Sequence, residues 1–495
     1  MTALPLTRGA SPRVVITAAT ATNAAVGLGA VVAWSPVFVL GGIVVLVLGG
    51  AIAWHPPLAA YLLVGLTPLL AGIDRGRLLP VLRPHEALLV LCGAALAARG
   101  LWGLRTGARP SFHVDPVHGA LIAMAVCNSV VPMLWMAVRH VEITGDDLSY
   151  SVVLWKFVVL YALVRATVST DQQGRRCLAV SLAVAGVVAV VAILQSLQVL
   201  GVDTVLLSLY APFGDASVLM SNRGSATLGL AAATADLMLF NLAVAVGWWW
   251  RSGLRPRAFV GLLALLVLGT LASGQFSAAI GLVVALVALG VLFRRADVSL
   301  ALGGLGVGAA LLLAPVVTAR LVAFDGATGL PESWIGRLDN LRGYFWPRLL
   351  EDHNYVLGVQ PSARVPSPDS LALPYIWIES GYTWLVWGGG IPLVAAFVVF
   401  VVLAVRRTLT AARGPGARGV AATGAFVGLL VVTVLMAFDP HLTYRGSGDL
   451  LVVLLALVAA LDGRLAVRAR PAPRTRPVRP GAGTGPSPTS SEVAS

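Results

Sequence analysis

The sequence predicts an all-α polytopic integral membrane protein of about 12–14 transmembrane helices, each about 20 residues long, with one long extracytoplasmic loop. Of the 495 residues, 58% are hydrophobic and only 12% are charged, and the mean hydropathy is +0.86. Soluble domains carry about 25% charged residues, so a water-soluble fold is excluded. The net charge of +13 does not indicate nucleic-acid binding, because the basic residues are scattered between apolar runs.

Apolar runs long enough to cross a bilayer core recur along the chain. Fourteen candidate spans can be counted: 14–34, 36–54, 57–73, 85–104, 116–138, 149–168, 177–200, 225–250, 257–272, 275–293, 298–319, 376–404, 418–438 and 448–463. Because the gaps at 34–36 and 54–57 would be very tight turns, twelve or thirteen spans are open alternatives.

Arginines fill every second gap between these spans, and acidic residues fill most of the others. Short basic loops stay in the cytoplasm. Both termini are therefore predicted to be cytoplasmic, which places the segment from Leu321 to Tyr375 outside the membrane. One gap departs from the pattern, since it carries Arg75, Arg77 and Arg83 but would lie on the extracytoplasmic side. Either an early helix is miscounted or these arginines have an anionic partner.

The chain divides into a transmembrane domain, 1–463, and a Pro/Ser-rich basic tail, 464–495. The tail cannot bury a core, so it is predicted to be disordered in the cytoplasm, with its basic half against anionic lipid headgroups. The cysteines Cys92, Cys127 and Cys177 lie far apart and form neither a disulfide framework nor a metal motif. No Gly-rich phosphate loop or zinc spacing occurs, and neither a metal nor a cofactor is predicted.

The outer loop is the one long stretch that cannot sit in lipid, so a functional site is expected there. Its segment Arg337–Gly358 reads RLDNLRGYFWPRLLEDHNYVLG. If the first half is helical, Arg337, Leu341 and Arg348 lie near one face, while Trp334 and Phe345 supply an apolar side. Such an amphipathic helix would lie on the outer leaflet.

Three arginines of this segment, Arg337, Arg342 and Arg348, are candidates to bind a lipid diphosphate, because guanidinium groups match phosphate oxygens. The alternative is a solvated loop in which Arg348 pairs with Glu351 or Asp352 at the surface, where ion pairs contribute little.

Glu351, Asp352 and His353 are three titratable groups in a row. The carboxylate of Asp352 or the imidazole of His353 could deprotonate a hydroxyl group. An isolated histidine in a polar loop is more often merely solvated, so that alternative also stands.

Glu379 lies inside the start of an otherwise apolar span, and a carboxylate in a membrane is functional by default. Its predicted partner is an arginine of the outer loop. Tyr382, three residues on, shares its helical face. The glycines at 388–390, ahead of Pro392, indicate a break or close packing in this helix. The last outer loop adds further candidates, which are His441, Tyr444 and Arg445.

The segment Ser221–Ser225, which reads SNRGS, is predicted to open the helix near residue 225. A guanidinium beside the free N–H groups of a helix N-terminus is an anion site, which makes Arg223 a fourth diphosphate candidate. The alternative is a simple N-cap with an arginine that reaches to the interface.

Four pieces occur in a fixed order: NRGSATLG from Asn222, LASGQFSAAIG from Leu271, RLDNLRGYFWPRLLEDHNYVLGVQP from Arg337 and IESGYTWLVWGGGIP from Ile378. This order resembles the O-antigen ligase and polymerase superfamily (the Wzy/WaaL-like group) over roughly residues 217–402. Arg342 and Gly358 also fit the Arg-x15-Gly spacing associated with the polymerases.

The resemblance implies a metal-independent membrane glycosyltransferase related to the GT-C class. Its donor would be a glycan on undecaprenyl diphosphate, with arginines holding the diphosphate and a base activating the acceptor hydroxyl. Ligases of the group have a histidine followed by Asn, Ser or Gln where this sequence has Glu379 and Ser380, and Leu393 replaces a glycine. That departure favours a polymerase and makes Glu379 a substitute base, although a structural pairing with an arginine is an equal alternative.

The expected function is therefore glycan polymerisation or ligation at the outer face of the plasma membrane, in exopolysaccharide, capsule or cell-wall assembly. The expected partners are the undecaprenyl-diphosphate-linked donor, a glycan or lipid-linked acceptor and membrane lipids, but no nucleic acid. The competing class is a transporter or flippase of lipid-linked oligosaccharides, and a third is a structural scaffold of an envelope complex.

Overall fold

The computed structural model describes residues 36–462 except 76–77, 80–81, 108–113, 211–222, 253–255, 323, 325–328, 330 and 369–373. The predicted span 14–34, the predicted tail 464–495 and the pair Ser221–Asn222 lie outside these residues. The fold described below belongs to the first of two compact units, Met1–Leu461; the second is Asp462–Ser495.

The described residues are mostly helical. The α-helices are α1 Pro36–Trp54, α2 Pro57–Leu70, α3 Pro84–Arg105, α4 Pro116–Val138, α5 Gly145–Ser151, α6 Val153–Thr167, α7 Asp171–Ser196, α8 Val202–Leu209, α9 Ala231–Ser252, α10 Pro256–Ala272, α11 Phe276–Phe293, α12 Ala296–Leu312, α13 Ala314–Leu321, α14 Glu332–Asn340, α15 Trp346–Leu350, α16 Gly381–Ala411, α17 Gly416–Leu435 and α18 Ser447–Ala460. Two short strands, β1 Arg364–Pro366 and β2 Tyr375–Trp377, pair antiparallel.

Eight of the described helical segments are long and apolar enough to cross a membrane: α3, α4, α5 with α6, α7, α9, α11, α16 and α17. Five shorter helices are also apolar, namely α1, α2, α10, α12 and α18. Every predicted span from 36–54 onward therefore overlaps an apolar helix, although the helix predicted from 376 begins only at Gly381, so that Glu379 precedes it. The predicted all-α, multi-pass membrane class is confirmed.

Helix α9 is the centre of the bundle, since 94% of its apolar window is buried, against 39% for α4, α7 and α16. It packs against α7, α10, α11, α17 and α18. Small residues allow the close approach, as is common between membrane helices. A Cβ at Gly424 of α17 would lie only 2.5 Å from the Val244 side chain of α9.

The segments between spans that are predicted to be extracytoplasmic meet at one end of the bundle, which we call the loop end. It is formed by the described residues of 71–83, 139–144, 322–380 and 436–446. Arg364 of β1 binds Asp146 of α5 through two hydrogen bonds of 2.5 and 2.7 Å. Arg445 lies 3.9 Å from Asp74, which joins the last of these segments to the first. The alternation of basic and acidic segments between the spans thus corresponds to the two opposite ends of the bundle.

The opposite end carries the predicted cytoplasmic gaps. Asp115, the N-cap of α4, lies 3.0 Å from Arg165 of α6 and 3.0 Å from Arg407 of α16. Its carboxylate also accepts a 2.8 Å hydrogen bond from Tyr161. One buried carboxylate therefore ties three helices together at this end.

Two of the arginines that departed from the charge pattern have acidic partners at the loop end. Arg83 lies 3.3 Å from Asp74 and 3.2 Å from Glu86, and Arg75 lies 3.5 Å from Glu86. The structure therefore supports the anionic-partner alternative for these two residues. Arg77 lies outside the described part of the chain.

The helix predicted to open near residue 225 begins only at Ala231, so the prediction that Arg223 stands at a helix N-terminus is wrong. A 3-10 turn, Ala226–Leu228, and a left-handed Gly229 (φ +69°) come first. The backbone N–H of Ala226 donates a 2.7 Å hydrogen bond to the Gln195 side chain of a neighbouring helix, which fixes this turn.

Helix α16 is broken at Gly389 and Gly390, as the glycine run indicated. Gly390 has a φ of +62°, which an L side chain rarely adopts. The residues 354–359, which we call the docked turn, fill the break. Val359 N donates to Trp387 O at 2.7 Å, and Ile391 N donates to two carbonyls of the docked turn at 3.1 Å.

Helix α4 holds the docked turn from its other side. The Trp135 indole N–H donates a 2.8 Å hydrogen bond to Asn354, which is 2% exposed. The Arg139 guanidinium donates to the Val359 carbonyl. The outer loop is therefore fixed to both α4 and α16.

We expect Gly390→Ala to lower the melting temperature of the purified protein in detergent. A methyl group there would overlap the Val356 carbonyl, and the positive φ adds a strain of about 1–3 kcal/mol. Gly308→Ala on α12 is the matched control, because nothing lies within 4 Å of its Cβ position. Equal melting temperatures for the two variants would contradict the docking.

Candidate active site at the loop end

Three charged residues from separate parts of the chain meet at the loop end: Arg337, Glu379 and Asp439. We call them the Arg337 cluster. The Arg337 Nε lies 3.6 Å from Glu379 Oε1, and its Nη2 lies 3.2 Å from Asp439 Oδ2. Its Nη1 donates a 3.1 Å hydrogen bond to the Phe438 carbonyl. Glu379 therefore has a loop arginine as its partner, as its apolar surroundings required.

The apolar side of α14 holds Arg337 in place by packing on the protein itself. The Trp334 ring lies 4.7 Å from the Phe438 ring and 6.3 Å from the Phe276 ring. Further along, the Phe345 ring is fully buried and meets Trp387 edge-on at 5.2 Å. The aromatic side predicted for this segment contacts α11, α16 and the turn after α17.

Glu379 is placed by the start of α16. Ser380 caps this helix by accepting a 3.3 Å hydrogen bond from the Thr383 N–H. The Gly381 N–H donates a 2.8 Å hydrogen bond to the Met436 carbonyl at the end of α17. This contact holds Glu379 close to Asp439, which follows α17.

Two carboxylates share one guanidinium in the Arg337 cluster, and their charges shift the pKa values of both Glu379 and Arg337. Burial raises the pKa of Glu379, attraction by Arg337 opposes this, and repulsion by Asp439 adds to it. Burial alone would lower the pKa of Arg337, but Asp439 and Glu379 outweigh it, so that pKa is raised. A carboxylate with a raised pKa is a better proton acceptor near neutral pH.

A small cleft lies beside Arg337 and opens to solvent. Its lining comes from α11, α14 and the turns before α9 and α11, and consists of Arg223, Gly274, Gln275, Phe276, Ser277, Ser333, Trp334 and Arg337. Two guanidinium groups, two hydroxyls, an amide and two aromatic rings are groups that bind an anion attached to a sugar.

The backbone that carries Arg223 is fixed by close packing. A Cβ at Gly224 would lie 2.6 Å from the Ala192 carbonyl, and the Gly224 N–H donates a 2.8 Å hydrogen bond to the Ala272 carbonyl. Ser225 is fully buried against Gln195. Arg223 therefore reaches the cleft from a rigid turn.

Sequence reasoning missed Asp236, a fully buried carboxylate of α9. Its Oδ2 lies 2.8 Å from the Nδ1 of His441, which is 1% exposed. The signal was available, because an aspartate within the apolar run from Ala231 to Ser252 meets the same criterion as Glu379. No feature of the sequence identified His441 as its partner.

The predicted diphosphate residues Arg342 and Arg348 are exposed, and among the described residues neither forms an ion pair. Arg342 lies in a π-helical turn, Leu341–Phe345. The wider turn changes the helical phase, so Leu341 is buried whereas Arg348 is exposed. Arg337, Leu341 and Arg348 therefore do not share one helical face, and that prediction is wrong.

The predicted catalytic residues Asp352 and His353 are exposed, and among the described residues the ion pairs of Arg337 are with Glu379 and Asp439. Both have a left-handed backbone, with φ of +48° and +58°, where the chain turns into the docked turn. Arg348 pairs with neither Glu351 nor Asp352 in the described structure. The geometry therefore places these groups apart from Glu379.

Tyr382 and Arg445 also lie outside the cluster. The Tyr382 hydroxyl donates a 2.7 Å hydrogen bond to the Thr433 carbonyl. Burial, followed by the neighbouring Arg83, lowers the pKa of Arg445 to about 9, so it remains charged at neutral pH beside Asp74. Arg445 belongs to the charged group that joins the loops before α3 and α18.

Within the described ranges, no three His, Cys, Asp or Glu side chains lie close enough together to hold a metal ion. Comparisons with protein-family models, with curated proteins and with solved structures give no significant match.

Proposed function

We propose that this protein is a membrane-embedded glycosyltransferase that transfers or polymerises glycan from an undecaprenyl-diphosphate-linked donor. The observation that carries the proposal is the Arg337 cluster beside the cleft. It presents a carboxylate of raised pKa paired with the Arg337 guanidinium, which shares the cleft with the guanidinium of Arg223 at one end of a membrane bundle. The resemblance in the order of sequence pieces supports the same reading.

The reaction needs a base and fixed cations. The acceptor hydroxyl oxygen attacks the anomeric carbon of the donor, its proton passes to Glu379, and the bond from that carbon to the diphosphate breaks. The leaving diphosphate gains negative charge, which preorganised guanidinium groups stabilise. Arg223 contributes from the cleft, and Arg342 and Arg348 from the exposed side of the loop.

Arg337 has a second task in this proposal. Because its guanidinium already pairs with Glu379 and Asp439, Arg337 orients Glu379. Arg337 also lines the cleft. Formal charges within the Arg337 cluster sum to −1 when both carboxylates are ionised. A diphosphate that bound at Arg337 would therefore displace a carboxylate, whereas at Arg342 or Arg348 it would displace none.

The proposal includes an orientation. The loop end would face away from the cytoplasm and both termini would face it, because short arginine-rich gaps stay inside. The chain would lie in the plasma membrane with a GT-C-like arrangement, and its acceptor would be a glycan or lipid-linked glycan. A polymerase fits better than a ligase, because Glu379 stands where ligases carry a histidine.

One observation favours a transporter as a second candidate. Transporters often bind substrates and ions at broken membrane helices, and α16 is broken at Gly389 and Gly390. Here the docked turn fills the break and uses its backbone groups, so the break serves to fix the loop. The charged residues of the loop end also lie outside the spans and not along a central path.

Reconstitution distinguishes the two functions. Lipid-linked glycan extracted from host cells that lack this chain serves as the probe, with the purified protein either in detergent or in sealed vesicles. We expect lengthened lipid-linked glycan in detergent. Glycan that crosses sealed vesicles without any change in length would contradict the proposal and support transport.

A further inference from the structure

The turn that carries Asp439 is fixed to the core by Asp236 and His441. We propose that this buried pair is a positioning device, which holds Asp439 against Arg337 and thereby sets proton binding at Glu379. This positioning is a property of the protein alone and does not depend on glycan transfer. Neither Asp236 nor His441 lines the cleft.

The connection between the pair and Asp439 is short. His441 opens a 3-10 turn, His441–Thr443, and its N–H donates a 2.7 Å hydrogen bond to the Asp439 carbonyl. Its ring lies 4.7 Å from the ring of Tyr444, which is buried beside the Asp439 carboxylate. A displacement of His441 therefore displaces Asp439.

The other half of the pair lies in the core, because Asp236 is on α9, the most enclosed of the long described helices. A carboxylate within an apolar helix is costly unless it is paired, and His441 supplies the partner. The hydrogen bond between them joins the loop after α17 to the centre of the bundle.

The charged and titratable groups that face one another here are Arg337, Glu379, Asp439, Tyr444, His441, Asp236 and, across the cleft, Arg223. Burial and the nearby Asp439 raise the pKa of Tyr444 well above its ordinary value, so its phenol remains neutral. Asp439 competes with Glu379 for Arg337 and repels its carboxylate. If Asp439 moves away, Glu379 gains the whole guanidinium and its pKa falls.

An infrared pH titration of the purified protein tests this. The carboxylic C=O band of Glu379 is assigned by its loss in Glu379→Gln. We expect Asp236→Ala and His441→Ala each to lower the pKa of Glu379, in the direction that Asp439→Asn also lowers it. Asp236→Asn keeps an oxygen that accepts from the His441 Nδ1–H, and should titrate like the wild type.

A double-mutant cycle separates positioning from general damage. If Asp236 acts through Asp439, the double variant Asp236→Ala/Asp439→Asn shifts the titration no further than Asp439→Asn alone. Asp115→Ala is the matched control, since it removes another buried carboxylate, at the opposite end. It should lower the melting temperature and leave the Glu379 titration unchanged.

Three results would overturn the proposal: an unchanged titration in His441→Ala, additive shifts in the double variant, or an Asp236→Asn shift as large as that of Asp236→Ala. If Asp236→Ala does not fold, His441→Ala breaks the same pair from the loop side and decides the question. The titration uses no substrate, so its failure would not bear on glycan transfer, which the reconstitution measures separately.

Discussion

Glu379→Gln is expected to lower the rate of glycan transfer by about 10²–10⁴-fold, the usual contribution of a general base. Glutamine keeps the size and polarity of the side chain but accepts no proton. Arg337 retains Asp439 as a partner at 3.2 Å, so the variant should still fold and insert. The measurement is the rate of lengthening of lipid-linked glycan by the purified protein in detergent.

The pH dependence gives the same prediction a second readout. Glu379 accepts a proton only when ionised, and its pKa is raised by burial and by Asp439. The rate should therefore fall as the pH is lowered through that raised pKa, and the residual rate of Glu379→Gln should show no such fall. Glu332→Gln, an exposed carboxylate on the helix of Arg337, is the matched control. A Glu379→Gln variant as fast as the control would reduce Glu379 to a structural partner of Arg337.

Arg342→Ala is expected to abolish polymer while the protein still inserts. The Arg342 side chain is exposed and has no carboxylate partner in the described structure, so its charge is available to a leaving diphosphate. Removing one preorganised group of this kind typically costs about 10²–10³ in rate. Polymer length on a gel and the transfer rate in detergent measure the effect.

The controls for Arg342 separate its charge from its shape. Arg342→Lys keeps the charge but loses the planar fork, so partial activity is expected. Arg175→Ala removes an exposed arginine at the opposite end, paired with Asp171 at 2.7 Å, and should leave polymer length unchanged. Normal chain lengths in Arg342→Ala would count decisively against the diphosphate role.

The helices could be predicted because the length of an apolar run follows directly from the thickness of a bilayer. That the partner of Glu379 is an arginine could also be predicted, since a carboxylate surrounded by apolar residues needs a cation. Which arginine it would be could not, because Arg337, Arg342 and Arg348 carry the same charge. The choice depends on helical phase, and the π-helical turn at Leu341–Phe345 alters that phase.

The buried pair Asp236 and His441 shows a second limit. The two residues are separated by 205 positions, and only the packing of α9 beside the turn after α17 brings them together. The turn before α9 shows the same limit, because Ala226 donates its hydrogen bond to Gln195 on a different helix. Contacts of this kind depend on tertiary packing and leave no local pattern in the sequence.

The docked turn implies an order of assembly during synthesis. Its side-chain anchors are Trp135 of α4 and Arg139, the C-cap of that helix, and its backbone partners outside the outer loop belong to α16. Chains are made from the N-terminus, so α4 enters the membrane more than 200 residues before the turn exists. The turn can close only after α16 has emerged and inserted. A nascent chain that stops before Gly381 therefore holds Arg337 and Glu379 but neither α16 nor Asp439, and the site is completed near the end of translation.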